Sequence, residues 1–478
     1  MRRRALFTLL ATLLLVIIGL AHNNGAGWRW LAQGGWHSSA RMGALTEEEQ
    51  RWAQVAWRYF SNNTQPETGL INGSDKRPLA SVWQIGDTLI ALTAARELKL
   101  IDESEFDRRL TRIIGTLNRL PLSGAGLPNR LYNTRSNVMV DYANQPKSIG
   151  WSSQDIARLL MALRIVAVRY PAYSEYLERV VLRWNFCRIV DDQGQLYAGL
   201  LQNGQLITRQ EGRLGDSEYS AAGFGLWGFA NQISLRPPAQ PVIIYGMALD
   251  IDARDPRTTW TPSAITTMPY ALSGLEYGWD LPGAGQETGK LLRQRASLVY
   301  QAQEQRWQRE KILTARSDFT LSAAPWHVND TLYANGYAWN TLGDDGKYYP
   351  RLAQVSTRAV FGLWALWDTD FTDALMRMTR LQYDTQRGWF EGRTEATGDY
   401  NRAITLSTNA TVLEALLYKA NMGPLLPAGQ LTDDSYFSRR LADVFNRPGQ
   451  CFPPERKPSR SEQMSPNRAN RSGNKEFL

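Results

Sequence analysis

Gly388-Trp389-Phe390-Glu391-Gly392-Arg393-Thr394-Glu395 leads shortly into an apolar stretch with helical spacing from about Thr405 to Tyr418. Acids and aromatic rings are crowded together at the mouth of a helix, with glycines that let the backbone turn. The same arrangement occurs in Gly215-Asp216-Ser217-Glu218-Tyr219, ahead of a helix near Ala221, and in Gly150-Trp151-Ser152-Ser153-Gln154-Asp155, ahead of Ile156 to Val168. Sugars are held by ring stacking and planar hydrogen bonds, and glycosidic bonds are cleaved by paired carboxyl groups. Acids beside tryptophans at the ends of successive helices therefore point to a carbohydrate site.

Working outward, helical periodicity dominates from Leu45 onward. Trp52, Val55, Ala56 and Tyr59 share one face; Val82, Ile85, Leu89, Leu92 and Leu98 share a second; Phe106, Leu110, Ile113, Ile114 and Leu117 a third. Further helices are expected at Ile156–Val168, around Tyr176–Trp184, at Ala221–Phe229 after a loop of about 30 residues, and at about Gln286–Glu310, Gln354–Trp367, Thr372–Gln382 and Thr405–Tyr418. Val242-Ile243-Ile244-Tyr245 has strand character, but alternating strand patterns are otherwise scarce. About ten helices, joined in turn by short turns and long Gly/Asn/Asp-rich loops, fit helical hairpins in a ring with the long loops on one face. The fold expected is all-α, an (α/α)6 toroid over 45–425 with halves at about 45–232 and 237–425.

The ends read differently. Arg2-Arg3-Arg4 precedes an apolar run from Ala5 to Ala21, the pattern of an export signal peptide or signal anchor over residues 1–21. The basic flank places the N-terminus in the cytoplasm and the body in the periplasm, tethered to the inner membrane by residues 5–21 if the segment is not cleaved. Residues 22–44 form a linker and 426–478 an extension with a basic tail of disordered composition. The net charge of +8 is concentrated at these ends, which leaves the body near +2 and gives nucleic-acid binding little support. Cys187 and Cys451 could pair in an oxidising compartment, or be a buried thiol and an incidental one. His22, His37 and His327 are too few and too scattered for a zinc site, so neither metal nor cofactor is expected. Asp344-Asp345-Gly346 is calcium-like, although a type I turn explains it.

Particular motifs carry a resemblance. Phe60-Ser61-Asn62-Asn63-Thr64-Gln65-Pro66-Glu67-Thr68-Gly69-Leu70-Ile71 resembles the first hairpin of bacterial glucoamylase-like proteins. Gly150 to Arg169 is similar to their helix with Ser-x-x-Asp before an Ala/Leu-rich run. Asp216-Ser217-Glu218-Tyr219 resembles their Asn-Glu-Ala helix start, with Ser217 where that motif has Asn. Over 45–425 the chain resembles the domain of unknown function 3131 family, most clearly at Leu127-Pro128-Asn129, Gly150–Leu160, Gly212–Trp227, Asn340–Gly346 and Gly388–Leu416. The resemblance implies an (α/α)-barrel in the six-hairpin superfamily of glucoamylase and β-1,2-glucanases, whose members generally invert. It implies no proven activity.

Hydrolysis needs one carboxylic acid to protonate the leaving oxygen and a second carboxylate as base or nucleophile. Glu218, one turn before an apolar helix and flanked by Tyr219, is the first choice for the acid, although an ordinary helix N-terminal acid would look the same. Glu391 and Glu395 are candidates for the base, or equally partners of Arg387 and Arg393. Asp87, Asp155 and Asp330 could bond sugar hydroxyls, or act as helix caps. Trp151, Tyr219, Trp326 and Trp389, each beside an acid, are the stacking candidates. The function expected is an exported glycoside hydrolase or transglycosylase acting on a bacterial glucan or exopolysaccharide. The alternatives are a non-catalytic glycan-binding partner of a polysaccharide synthesis or export machine, and an envelope scaffold.

Overall fold

The structure, a computed structural model, describes residues 39–426 apart from 191–194, 203, 230–236, 256–262 and 281–285. The helices are α1 (Glu47–Asn63), α2 (Val82–Glu97), α3 (Glu103–Leu117), α4 (Ser153–Arg169), α5 (Ser174–Leu182), α6 (Asp216–Phe224), α7 (Met268–Tyr277), α8 (Gln286–Glu310), α9 (Thr357–Leu366), α10 (Asp370–Thr379) and α11 (Leu406–Ala420). The segment with the export-signal pattern, most of the linker, the tail and Cys451 lie outside the described residues. Among the described residues no helix is long and apolar enough to cross a membrane.

Two kinds of helix alternate along the chain. α1, α3 and α10 are amphipathic, with acids in the first turn and one apolar stripe. α2, α4, α7, α9 and α11 are buried on nearly every side. This second set, with α6, forms a closed ring: α2 packs on α4, α4 on α6, α6 on α7, α7 on α9, α9 on α11, and α11 on α2. The amphipathic helices lie outside, α1 against α11, α3 against α2, α5 against α4, α8 against α7 and α10 against α9. Among the described residues, the hairpin Ala239–Ile244/Met247–Asp252 stands between α6 and α7 in the chain, where the alternation calls for an outer helix. One continuous apolar core joins both layers.

This is the helical ring expected, with two corrections. Strands are more abundant than an all-α reading allows. Short antiparallel strands stiffen the long loops, among them Gly150–Trp151, Tyr197–Gln202 and Gln205–Gln210 in one sheet and Gln354–Ser356, Gly392–Thr394 and Tyr400–Asn401 in another. Gln354–Ser356 is thus a strand, and the helix expected there begins at Thr357. Secondly, α7 was not expected; Pro269 at its start and burial of all ten residues remove the polar face that periodicity needs.

Because each inner helix but α7 follows an outer one by a reversal, these inner helices run in one direction and their N-termini share one end of the ring. Glycines make the turns into them. Gly150 has φ +99°, and a Cβ there would collide with the Gly199 carbonyl. Gly215 has φ +92°, and a Cβ would lie 3.2 Å from the Tyr270 ring. Helix N-termini favour negative charge, so this shared end suits carboxylates.

Candidate active site at the mouth of the ring

The ring is plugged along its axis. Arg158 of α4 donates from Nε to Asp87 of α2 at 2.7 Å, from Nη1 to the Tyr219 hydroxyl of α6 at 2.8 Å and to Glu276 of α7, and from Nη2 to Glu414 of α11 at 3.2 Å. The Tyr219 hydroxyl also donates to Glu276 at 2.8 Å, and Ser407 donates to the second Asp87 oxygen at 2.6 Å. All of these but Ser407 are buried. Three carboxylates face one guanidinium, and burial pushes Glu414 up to about 7, so near neutral pH a proton relieves the excess charge. Asp87 and Tyr219 therefore belong to the framework below the mouth.

Most other expected site residues also hold the frame. Glu218 reaches back to the Gly215 N–H at 3.0 Å and pairs with Arg295 at 2.6 Å, with both side chains buried. Burial pushes its carboxyl up, and Arg295 opposes this. Glu391 accepts from the Thr405 and Thr408 hydroxyls at 2.6 and 2.5 Å and from the Thr320 N–H at 3.0 Å, tying three segments together. Glu395 pairs with Arg306 at 3.1 Å and Arg316 at 2.9 Å, rather than with Arg393. Asp330 pairs with Arg316 and accepts from the Gln354 N–H at 2.9 Å. Trp151 and Trp389 are fully buried, with indole N–H groups on the Tyr197 and Trp52 carbonyls at 3.1 and 3.2 Å, so no ring face is open to a sugar. Trp326 is different: it is 63% exposed, at φ +66°, in the loop after Phe319–Thr320.

Above the plug, at the N-terminal ends of α4, α6 and α9, lies a second set of charges. Asp155, half-buried in the first turn of α4, is pushed up to about 7 by burial and by Glu211, against the pull of Arg130. Glu211 itself caps α4, accepting from the Ser153 N–H at 2.6 Å and the Ser152 hydroxyl at 3.0 Å, and pairs with Arg130 at 3.3 Å. Asp216, the first residue of α6, is half-buried; burial and then the charge of Asp318 push it up to about 7. Asp318 moves the other way. Burial would raise it, but Arg358 at the start of α9 and His327 hold its carboxyl well below the usual carboxylate range. Its side chain is 39% exposed.

The cations around Asp318 are fixed in turn. The Arg358 Nε donates to the Ser317 hydroxyl at 2.9 Å and the guanidinium pairs with the Asp318 carboxylate. His327 lies 3.5 Å from Asp318 and 3.1 Å from Asp344. Burial works against its charge, yet these two carboxylates push its imidazole up to about 10. Asp345 is held by the Tyr349 hydroxyl at 2.8 Å and the Lys347 N–H at 3.0 Å, so the Asp344–Gly346 stretch is a bonded turn. Among the described residues no group of three acids, histidines or cysteines is placed to hold a metal ion.

The mouth thus sets a carboxyl pushed up to about 7, Asp216, near one held low, Asp318, whose charge contributes to that rise. The sequence reading reached the Gly215–Tyr219 segment but favoured Glu218. The N3 position of Glu218 after Gly215, where an acid reaches back to the helix start, is the signal that separates the two. Asp318 stands in a loop with no local motif.

A closed ring of inner helices with an outer layer around it defines a helical-hairpin toroid. The sequence matches the family described as "Protein of unknown function (DUF3131)" over residues 51–422, and the chain belongs to that family. No curated protein matches it in sequence. Three solved structures are similar in fold. The endo-β-1,2-glucanase of Chitinophaga pinensis, in complex with sophorotriose and glucose, has a TM-score of 0.52 at 10% identity, covering 81% of this chain and 94% of that one. The β-1,2-glucanase of Parabacteroides distasonis has a TM-score of 0.56 at 10% identity, covering 83% of this chain and 60% of that one. A glucoamylase candidate from Bacteroides caccae has a TM-score of 0.54 at 11% identity, covering 80% and 94%.

Proposed function

We propose that this chain is a glycoside hydrolase or transglycosylase acting on a glucan at the mouth of the ring, with Asp216 as general acid and Asp318 as the ionised carboxylate. The observation that carries the reading is the opposite shift of these two neighbours. Asp216 is pushed up to about 7 and Asp318 is held low by Arg358 and His327. Two carboxyl groups whose surroundings drive their titration apart divide the roles of acid and base.

In this reading a glucan lies across the mouth and does not thread the ring, because the Arg158 plug fills the axis. Asp216 gives its proton to the leaving glycosidic oxygen. Asp318 takes the proton of a water attacking the anomeric carbon from the opposite side, which inverts the configuration. A carboxylate paired with arginine is a weak base at rest. Proton transfer to it becomes favourable as the water, bonding to the anomeric carbon of an oxocarbenium-like transition state, turns acidic. Asp155 bonds a sugar hydroxyl and Trp326 offers a stacking face. The two similar β-1,2-glucanases make β-1,2-linked glucan the first polymer to try. Export to the periplasm through residues 1–21, with a tether at 5–21, belongs to the same proposal.

The test is reducing-end release from β-1,2-glucan and from a panel of bacterial glucans. The wild-type chain is expected to release ends, and Asp216→Asn to lower kcat by at least about 100-fold, the usual contribution of a general acid. Proton NMR of the first product assigns inversion or retention. Activity that survives both Asp216→Asn and Asp318→Asn would overturn the assignment. Glucan binding without any release of ends would instead favour a glycan-binding partner of a polysaccharide synthesis or export system.

A further inference from the structure

A cavity of about 200 Å³ opens on the outer wall between α1, α2 and α3 and shares no residue with the mouth. Its floor is apolar: Trp57 of α1, Leu92 of α2 and Ile113 of α3 are all buried. Its rim is cationic, made by Arg108, Arg109 and Arg112 of α3. Glu105 is the one acid that lines it, and that carboxylate is shared between Arg108 and Arg109. Arg112 bonds the Pro66 carbonyl at 2.8 Å.

The rim is held in place and only partly neutralised, with three arginines to one carboxylate. Arg109 donates to the Thr64 hydroxyl at 2.8 Å, and its guanidinium lies over the Trp57 ring at 5.4 Å. Arg112 passes so close to Gly69 that a Cβ there would lie 3.1 Å from its Cγ; Gly69 has φ +73°. Burial, together with the charges of Arg108 and Arg112, presses the Arg109 guanidinium below its ordinary pKa, as expected where positive charge is in local excess. Arginine forks match the oxygens of phosphate and carboxylate, and an apolar floor excludes a fully hydrated ion. Pockets for drug-sized ligands span about 300–1,000 Å³, so this one takes a smaller group.

We propose that this cavity binds an anionic group, phosphate or carboxylate, carried on a short apolar body. The anion would sit between Arg108 and Arg112 at the rim, with its apolar part on Trp57, Leu92 and Ile113. A soluble organophosphate and a phospholipid headgroup offer the same chemistry, and the experiment separates them. The site is independent of the glycosidase reading.

Titration calorimetry of the full chain with hexyl phosphate tests it. One molecule is expected to bind per chain, more weakly as salt rises. Inorganic phosphate, which lacks the apolar body, is expected to bind at least tenfold more weakly. The double variant Arg108→Glu/Arg112→Glu is expected to lower hexyl phosphate affinity at least tenfold with its melting temperature unchanged; the Arg108 side chain is 62% exposed and free to change. If that variant melts lower, Arg112→Gln keeps the test in a milder form, with an expected loss of at least threefold. Displacement of hexyl phosphate by phosphatidylglycerol vesicles, but not by phosphatidylcholine vesicles, identifies a headgroup as the source. Displacement by soluble organophosphates alone identifies a free anion. No heat of binding, or equal affinity in wild type and variants, overturns the proposal.

Discussion

The plug and the mouth of the ring use the same residue types to different ends. In the plug, Arg158 meets Asp87, Glu276 and Glu414 with almost no exposure, and neighbouring hydroxyls from Tyr219 and Ser407 complete the network. In the mouth, Arg358 and His327 converge on Asp318 while Asp216 stays half-buried beside it. Burial with mutual pairing fixes a structure, since moving any one group strands a charge in the interior. Partial exposure with unequal pairing pushes one carboxyl up and holds the other low, with both partly open to solvent. A cluster of charges is therefore read for chemistry by what remains unpaired and accessible, not by the number of acids.

The largest way to break the comparison is Arg158→Met. It leaves three buried carboxylates facing no cation and is expected to cost about 3–5 kcal/mol of stability, measured by urea denaturation. A loss below about 1 kcal/mol would mean that the plug is not the structural half of the pair. Next is the pH dependence of the mouth. If Asp216 must be protonated, kcat/KM falls as pH rises through about 7, and a flat profile from pH 5 to 9 would count against it.

The same group has a stability signature with a definite sign. Its folded pKa lies above the unfolded one, so its favourable contribution is complete at low pH and is lost as pH rises through about 7. Asp216→Asn should therefore raise the melting temperature at pH 8 by about 2 °C or more, and by less at pH 5. Glu218→Gln sharpens the contrast from the other side, since it loosens the Arg295 pair. It is expected to lower the melting temperature while kcat stays within about threefold of wild type; a loss of kcat like that of Asp216→Asn would return the acid to Glu218. The smallest effect is expected from Trp326→Ala, a rise in KM of about two- to tenfold with kcat little changed, in line with the modest energy of ring contacts.

Much of the frame was legible because it is local. The stripe Trp52, Val55, Ala56 and Tyr59 fixes α1, and Thr46 with Glu49 forms a capping box at its start. Each apolar run from Ile156 and from Leu406 became an inner helix. α7 escaped because a helix buried on every side has no stripe. The plug also left a trace that periodicity passes over: Asp87, Arg158 and Glu414 each interrupt an otherwise apolar helix, and a charge in such a place needs a partner. Trp151 and Trp389 stand in aromatic loops where a stacking role looks natural, yet short strands fold those loops onto the core and bury both rings.

The sequence by itself determined the alternation of amphipathic and all-apolar helices, the glycine turns that lead into the inner ones, and the concentration of acids at those turns. Each follows from the spacing of residues within about one turn of one another. Which acids end in the plug, which bond to the frame and which face solvent was decided by the closure of the ring. Asp216 and Glu218 lie two residues apart on one helix, about 200° of rotation, so one reaches Arg295 and the other the neighbourhood of Asp318. Asp318 is distant in sequence from both Asp216 and Arg358, and only packing brings the three together.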